Sequence, residues 1–188
     1  HLIDMALYGM KAKDPKSIMS IGGKFAYPDD AMQTPDTQTA VYEFDDFALT
    51  WEHTIGINNA AYGRPHGVAF VGTLGTLVVD REQWMVIPES DGKKFKTESI
   101  PVQESKDNGL DLHAINFIDC MKNRSKTPNC SIEEAANTAI ISHMGNIAFR
   151  TGDKVYWDEK SKLFLKNDKA NDLITPKYRS PWKLPTIA

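Results

Sequence analysis

Apolar positions along this chain follow two rhythms. The alternating one dominates the first half. In "FALTWEHT" (47–54), Phe47, Leu49, Trp51 and His53 share one face, while Ala48, Thr50, Glu52 and Thr54 share the other. "TQTAVYEF" (37–44) precedes it across Asp45-Asp46, and a two-residue link between β-rich runs predicts a hairpin. "SIMSIGGKF" (17–25) predicts an earlier strand ended by glycines. "GVAFVGTLGTLVVDREQWMVIPE" predicts two or three more, with a turn from Gly72 to Gly75 and a polar reversal at "DREQ". Residues 90–109 are charged and aperiodic, and predict a long loop with at most one edge strand.

The helical rhythm appears at the two ends. Residues 2–10 predict a short helix, with Leu2, Met5 or Ala6 and Tyr8 near its period and Gly9 and "KAKDPK" stopping it. "DLHAINFIDCMKN" (111–123) predicts a second helix. "SIEEAANTAIISHMGNIAFRTG" (131–152) predicts a third, opened by the capping box Ser131/Glu134 and closed by Gly152. Its expected apolar stripe is Ile132, Ala136, Ala139, Ile140 and Ile147. The tail predicts a short strand pair and then a stretch pinned by aromatics. Strands in succession followed by helices predict an α+β domain: an open, largely antiparallel β-sheet with helices on one face. Strands apolar on both sides imply that the other face is covered too, and oligomerisation through it is the expectation.

Composition narrows the function. At 188 residues, 41% hydrophobic and 25% charged, the chain reads as one globular domain spanning 1–188. A net charge of -3 offers no broad basic field, which argues against nucleic acid. No stretch approaches the roughly 18 apolar residues of a membrane-crossing helix. The compartment stays open. Cys120 and Cys130 read as buried thiols, since two cysteines at this spacing form neither a disulfide scaffold nor a metal knuckle.

Cofactor motifs are missing from the sequence. "GTLGTLVVD" has the spacing G-x-x-G and runs into β-branched residues, so it predicts a turn and not a phosphate cradle. Neither G-x-G-x-x-G nor G-x-x-x-x-G-K-[ST] occurs, and the histidines and cysteines show no H-x-x-x-H or C-x-x-C spacing. Candidate chemistry therefore rests on single residues. His1 and Asp4 lie three apart on a predicted helix, where a carboxylate can orient an imidazole for proton transfer. Tyr62, Arg64 and His66 crowd a glycine-bearing loop (55–66) suited to hydroxyl-rich or anionic ligands. His143 falls beside Ile140 and Ile147 as a core or interface histidine, and His113 reads as a helix-start residue.

These segments together carry a resemblance. "HLIDMALYG", "PDTQTAVYEF", "LTWEH", "VAFVGTLGTLVVDR", "HAINFIDCMKNRSKTPN", "SIEEA", "SHMGNIAFRTGDKVYWD" and "ANDLITPKYRSPW", in this order, look like the C-terminal domain of the Gfo/Idh/MocA oxidoreductases. The resemblance covers nearly the whole chain, and its final block is most similar to a bacterial subgroup of sugar or cyclitol dehydrogenases. It implies an N-terminal Rossmann domain upstream of His1 that binds NAD or NADP, and a second domain that builds oligomers and lends part of the active site. It places His1 on the histidine of the family's D-x-x-x-H motif, as the acid/base residue, with the aspartate and the E-K-P lysine outside this sequence. Asp4, Tyr62, Arg64 and His66 become expected substrate contacts. Hydride transfer between a sugar or cyclitol carbon and the nicotinamide is the expected reaction, with this piece inactive alone. An NAD-dependent glycoside hydrolase and a non-catalytic carbohydrate-binding or assembly module are the alternatives.

Overall fold

The computed structural model describes residues 1–107 and 109–185. Asn108 and residues 186–188, which the single-domain expectation includes, lie outside the described residues. In chain order the elements are α1 (Leu2–Met10), β1 (Ser17–Gly23), β2 (Thr37–Glu43), β3 (Ala48–Thr54), β4 (Val68–Val71), β5 (Gly75–Val79), β6 (Gln83–Pro88), β7 (Ile100–Glu104), α2 (Gly109–Lys122), α3 (Ile132–Thr151), β8 (Val155–Asp158), β9 (Leu163–Phe164) and α4 (Asp168–Asn171). The fold is α+β and its named strand pairs are all antiparallel, as expected. The strands divide over two open sheets where the sequence predicts one, in the orders β3-β2-β1-β8-β9 and β4-β5-β6-β7. The chain forms two compact units: His1–Lys13 with Ile55–Ala139, and Asp14–Thr54 with Ile140–Ala188.

The second of these units holds the five-stranded sheet. The β2–β3 hairpin turns at Asp45-Asp46 as predicted, closed by Phe44 N–H donating to the Phe47 carbonyl at 3.0 Å and by the two stacked rings 4.4 Å apart. One sheet face carries Ile18, Ala40, Tyr42, Val155 and Trp157, all buried, and Gln38, whose amide reaches the Gly145 carbonyl on α3 at 3.3 Å. The helix residues that bury are Ile141, Met144, Gly145, Ile147 and Ala148. This corrects the expected stripe, for Ile132 and Ile140 are exposed and His143 faces solvent. The small residues decide the rotation. A Cβ at Gly145 would run into the Tyr42 hydroxyl, so the helix approaches the sheet where its side chains are least bulky.

The opposite face of this sheet is open. Met19 and Ile21 on β1 stand exposed, paired with Val41 and Thr39, and Phe25 lies over Gly23. Beside them the Glu43 carboxylate accepts the Ser17 hydroxyl at 2.5 Å and the Lys154 ammonium at 2.9 Å. The loop after β1 is folded around Asp36, which is fully buried. Its carboxylate accepts the N–H groups of Phe25, Ala26 and Tyr27 at 3.0, 3.0 and 2.8 Å and the Thr37 hydroxyl at 2.8 Å.

The first unit is built on the four-stranded sheet. Its turns fall where predicted, with Gly72 N–H bonded to the Gly75 carbonyl and Asp80 N–H to the Gln83 carbonyl, both at 3.0 Å. β7 is the expected edge strand. Helix α1 buries Ile3, Ala6 and Leu7, so that of the expected Leu2, Met5 or Ala6 and Tyr8 the structure buries Ala6. Gly9, with no side chain, lets it lie directly against the Phe70 ring of β4. The capping box forms at the start of α3: Ser131 N–H donates to Glu134 at 3.0 Å, and Glu134 N–H donates to the Ser131 hydroxyl at 3.2 Å. Helix α2 differs from the others. Cys120 is its buried residue, whereas Leu110, Phe117, Ile118 and Met121, spaced as an apolar stripe, are exposed. Cys130 is half-buried and both thiols are free.

Candidate functional site

The candidate catalytic and substrate-contacting residues, His1, Asp4, Tyr62, Arg64 and His66, fall in the first unit on two segments. His1 occupies the N-cap position of α1. Its carbonyl accepts Met5 N–H at 3.0 Å, its imidazole makes no capping bond, and the residue is exposed. Asp4, in the first turn, is exposed as well, and its carboxylate accepts the Thr138 hydroxyl of α3 at 3.1 Å. An acidic residue suits that turn, because the first N–H groups of a helix lack intrahelical acceptors. The carboxylate expected to steer the imidazole is thus engaged with Thr138.

The second segment is the loop before β4. Ala61–Gly63 form one tight 3-10 turn, in which Gly63 N–H reaches the Ala60 carbonyl at 3.3 Å. Tyr62 sits there with φ 61° and ψ 20°, a left-handed conformation that opposes any side chain bearing a Cβ, and is 45% exposed. Arg64 is turned inward. Only 6% of its side chain is exposed, and its guanidinium donates to Asp80 at 2.5 Å and to the Gln83 carbonyl at 3.0 Å. The other Asp80 oxygen accepts the N–H groups of Glu82 and Gln83, both at 2.8 Å. Burial pushes the Asp80 carboxyl up, but those two N–H groups and the Arg64 guanidinium outweigh it and hold the carboxyl below the usual range. His66 follows two residues later, with Nε2 3.9 Å from a Glu82 carboxylate oxygen and shielded from solvent.

The structure therefore groups the candidates as Asp4 with Thr138, Arg64 with Asp80, and His66 with Glu82. Asp80, Glu82 and Thr138 did not emerge from the sequence. An aspartate opening the tight "DREQ" reversal was the available signal, since its carboxylate commonly accepts N–H groups two residues on. Among the described residues no cluster of three or more His, Cys, Asp or Glu is placed to hold a metal, and no helix is long and apolar enough to cross a membrane.

Two places that could cradle a pyrophosphate are closed to one. Gly72–Gly75 close a hairpin that leads into β5, with no helix N-terminus to face a pyrophosphate, and the start of α3 is already filled by its own Glu134.

No curated protein matches this sequence. Solved structures do. A candidate oxidoreductase, yvaA of Bacillus subtilis, superposes with a TM-score of 0.59 at 12% identity, over 84% of this chain and 51% of that one. A candidate oxidoreductase from Klebsiella pneumoniae gives 0.56 at 13%, over 92% and 50%. The WlbA dehydrogenase of Bordetella pertussis, solved with NADH and UDP-GlcNAcA, gives 0.50 at 12%, over 84% and 43%. The chain thus spans about half the length of the first two, and somewhat less of the third. At such identities the likeness establishes the fold. The family model described as "Oxidoreductase family, C-terminal alpha/beta domain" matches residues 80–184, from Asp80 to the tail. Because that match covers more than half of the sequence, the chain belongs to the Gfo/Idh/MocA oxidoreductase family, as its C-terminal α/β domain.

Proposed function

We propose that this chain is the substrate-binding and assembly domain of a dehydrogenase that oxidises a hydroxyl-bearing carbon of a sugar or cyclitol with NAD or NADP. The observation that carries the reading is the family match over residues 80–184. The fold likeness to a dehydrogenase solved with NADH and a UDP-sugar supports it. A nicotinamide, held by the nucleotide-binding domain that the family reading implies, would supply the hydride acceptor.

This chain's own contribution is proton handling and recognition. His1, exposed at the start of α1, takes the proton of the reacting hydroxyl, a role that suits an imidazole because its ring nitrogen can both accept and return a proton. Asp4 lies one turn along the same helix, and Tyr62 and His66 on the loop before β4 complete the recognition surface, with Arg64 turned inward behind them. The open face of the five-stranded sheet, with Met19, Ile21 and Phe25 exposed, packs against a second copy, because an apolar patch set among threonines is the usual form of a covered sheet face.

Incubating the full-length parent protein with candidate sugars and NAD+ or NADP+ tests the reading. Accumulation of reduced nicotinamide is expected. Release of an aglycone without net reduction would instead make the protein a glycoside hydrolase of the same family. Binding without either would leave it a carbohydrate-binding or assembly module.

A further inference from the structure

Arg64 stands apart from the other candidates because its charge is already spent. The guanidinium is buried, held by Asp80 at 2.5 Å and by the Gln83 carbonyl at 3.0 Å, so its bonds run into the β5–β6 turn and not toward solvent. Asp80 in turn fixes that turn through the N–H groups of Glu82 and Gln83. The neighbouring backbone is tied down as well: Ala60 N–H donates to the Arg64 carbonyl at 3.0 Å, and Arg64 N–H to the Ala61 carbonyl at 3.4 Å. Tyr62 lies inside this small closed ring with φ 61°, a conformation that a tyrosine keeps only when its surroundings impose it.

We infer that Arg64 is a positioning residue: through its Asp80 clamp it holds the 60–64 turn so that Tyr62 is locked in the left-handed conformation and presents its phenol to a hydroxyl-rich ligand. The inference rests on the sugar-site reading for the ligand, and on the geometry alone for the clamp. Tyrosine suits such a ligand because the ring packs on the apolar face of a sugar while the hydroxyl exchanges hydrogen bonds with its rim. A bond network that outlasts ligand release keeps the site preformed, which lowers the ordering cost of binding.

The test is a double-mutant cycle on the full 188-residue chain, read by urea unfolding. Tyr62→Gly relieves the backbone strain and is expected to shift the folding equilibrium toward the native state by roughly threefold. With the clamp weakened by Arg64→Lys, or removed by Arg64→Met, the same substitution is expected to give little or no gain, because the turn is then free to relax around the tyrosine. Lysine keeps the charge while losing the planar fork, so it serves as the folded variant should Met prove too disruptive. An equal gain in all backgrounds means that Arg64 does not set the conformation of Tyr62, and overturns the inference. A purely structural arginine would give that additive result.

Saturation-transfer NMR with myo-inositol and glucose as probes reads the second half. Transfer from the unaltered chain to the probe sugar is expected, and both Tyr62→Gly and Arg64→Lys are expected to diminish it. Transfer that survives both variants refutes presentation by Tyr62. Coupling in the cycle with no transfer from the unaltered chain to either probe leaves the clamp standing and refutes the sugar-site reading.

Discussion

Tyr42 and Gly145 meet with no space between them: the phenol on β2 fills the volume that a side chain on α3 would need. Burial pushes the Tyr42 hydroxyl up to about 12, opposed by a hydrogen bond with the Gly145 backbone, so the group stays neutral throughout the physiological range. Gly145→Ala is therefore expected to destabilise the fold. The helix gains about 1 kcal/mol from alanine, but overpacking a buried contact costs typically about 1–3 kcal/mol, and Tyr42 has no free direction in which to yield. Urea denaturation should show a net loss that Tyr42→Phe partly restores, by removing the clashing oxygen. A more stable Gly145→Ala variant would contradict the packing.

Asp36 sets an acid limit on its loop. Burial raises its carboxyl, but the N–H groups of Tyr27, Phe25 and Ala26 and the Thr37 hydroxyl prevail and hold it below the ordinary range. A folded-state pKa depressed below the unfolded value of about 3.9 contributes stability that is fully present above the unfolded pKa. That stability is lost as pH falls through the folded pKa. NMR of the Phe25, Ala26 and Tyr27 amides should report the loop releasing at strongly acid pH, before the buried strands exchange. Asp36→Ala should release it at neutral pH.

The Arg64–Asp80 pair makes a third, sharper statement about stability. Removing one member of a buried pair strands the other, so Arg64→Ala is expected to lose on the order of 3 kcal/mol in thermal or urea unfolding. Replacing both members with apolar residues should recover part of this loss and no more, because the N–H groups of Glu82 and Gln83 would still lack their acceptor.

For the proposed chemistry the decisive residue is His1. In the intact protein His1→Ala is expected to lower turnover by on the order of 100-fold with a smaller change in KM, as for loss of a general base. Turnover near that of the unaltered enzyme would remove His1 from the mechanism.

Self-association is expected to depend on β1. Ile21, 75% exposed on the open sheet face, can be replaced by Lys with little effect on folding, within about 0.5 kcal/mol for a surface site. Sedimentation should show the unaltered chain associating with rising concentration and Ile21→Lys remaining monomeric. Identical behaviour of the two would place any interface elsewhere.

Local signals in the sequence carried most of the element assignment. Asp45-Asp46, Gly72–Gly75 and Ser131/Glu134 each encode a turn or a cap within four residues, and all three formed as read. What the sequence hid was long-range. Ile18 of β1 pairs with Val155 of β8, a partner that no local pattern names, and the division of strands between two sheets follows from such pairings. The rotation of α3 is hidden in the sequence because Gly145 does not count as apolar bulk, although its small size is what admits it to the contact with Tyr42 and Ala40. Of the candidate residues the sequence showed only that Tyr62, Arg64 and His66 share a loop; an arginine between Gly63 and Pro65 gives no sign that Asp80 will swallow its charge.

The uncovered stripe of α2 has a practical consequence. A helix that leaves Phe117 (58% exposed) and Met121 (54%) in water is held chiefly by its own backbone bonds, which makes it the first place to fray. A protease added in trace amounts should nick the preparation between Leu112 and Met121 before it touches either sheet, and a hydrophobic dye should light up on the same turns.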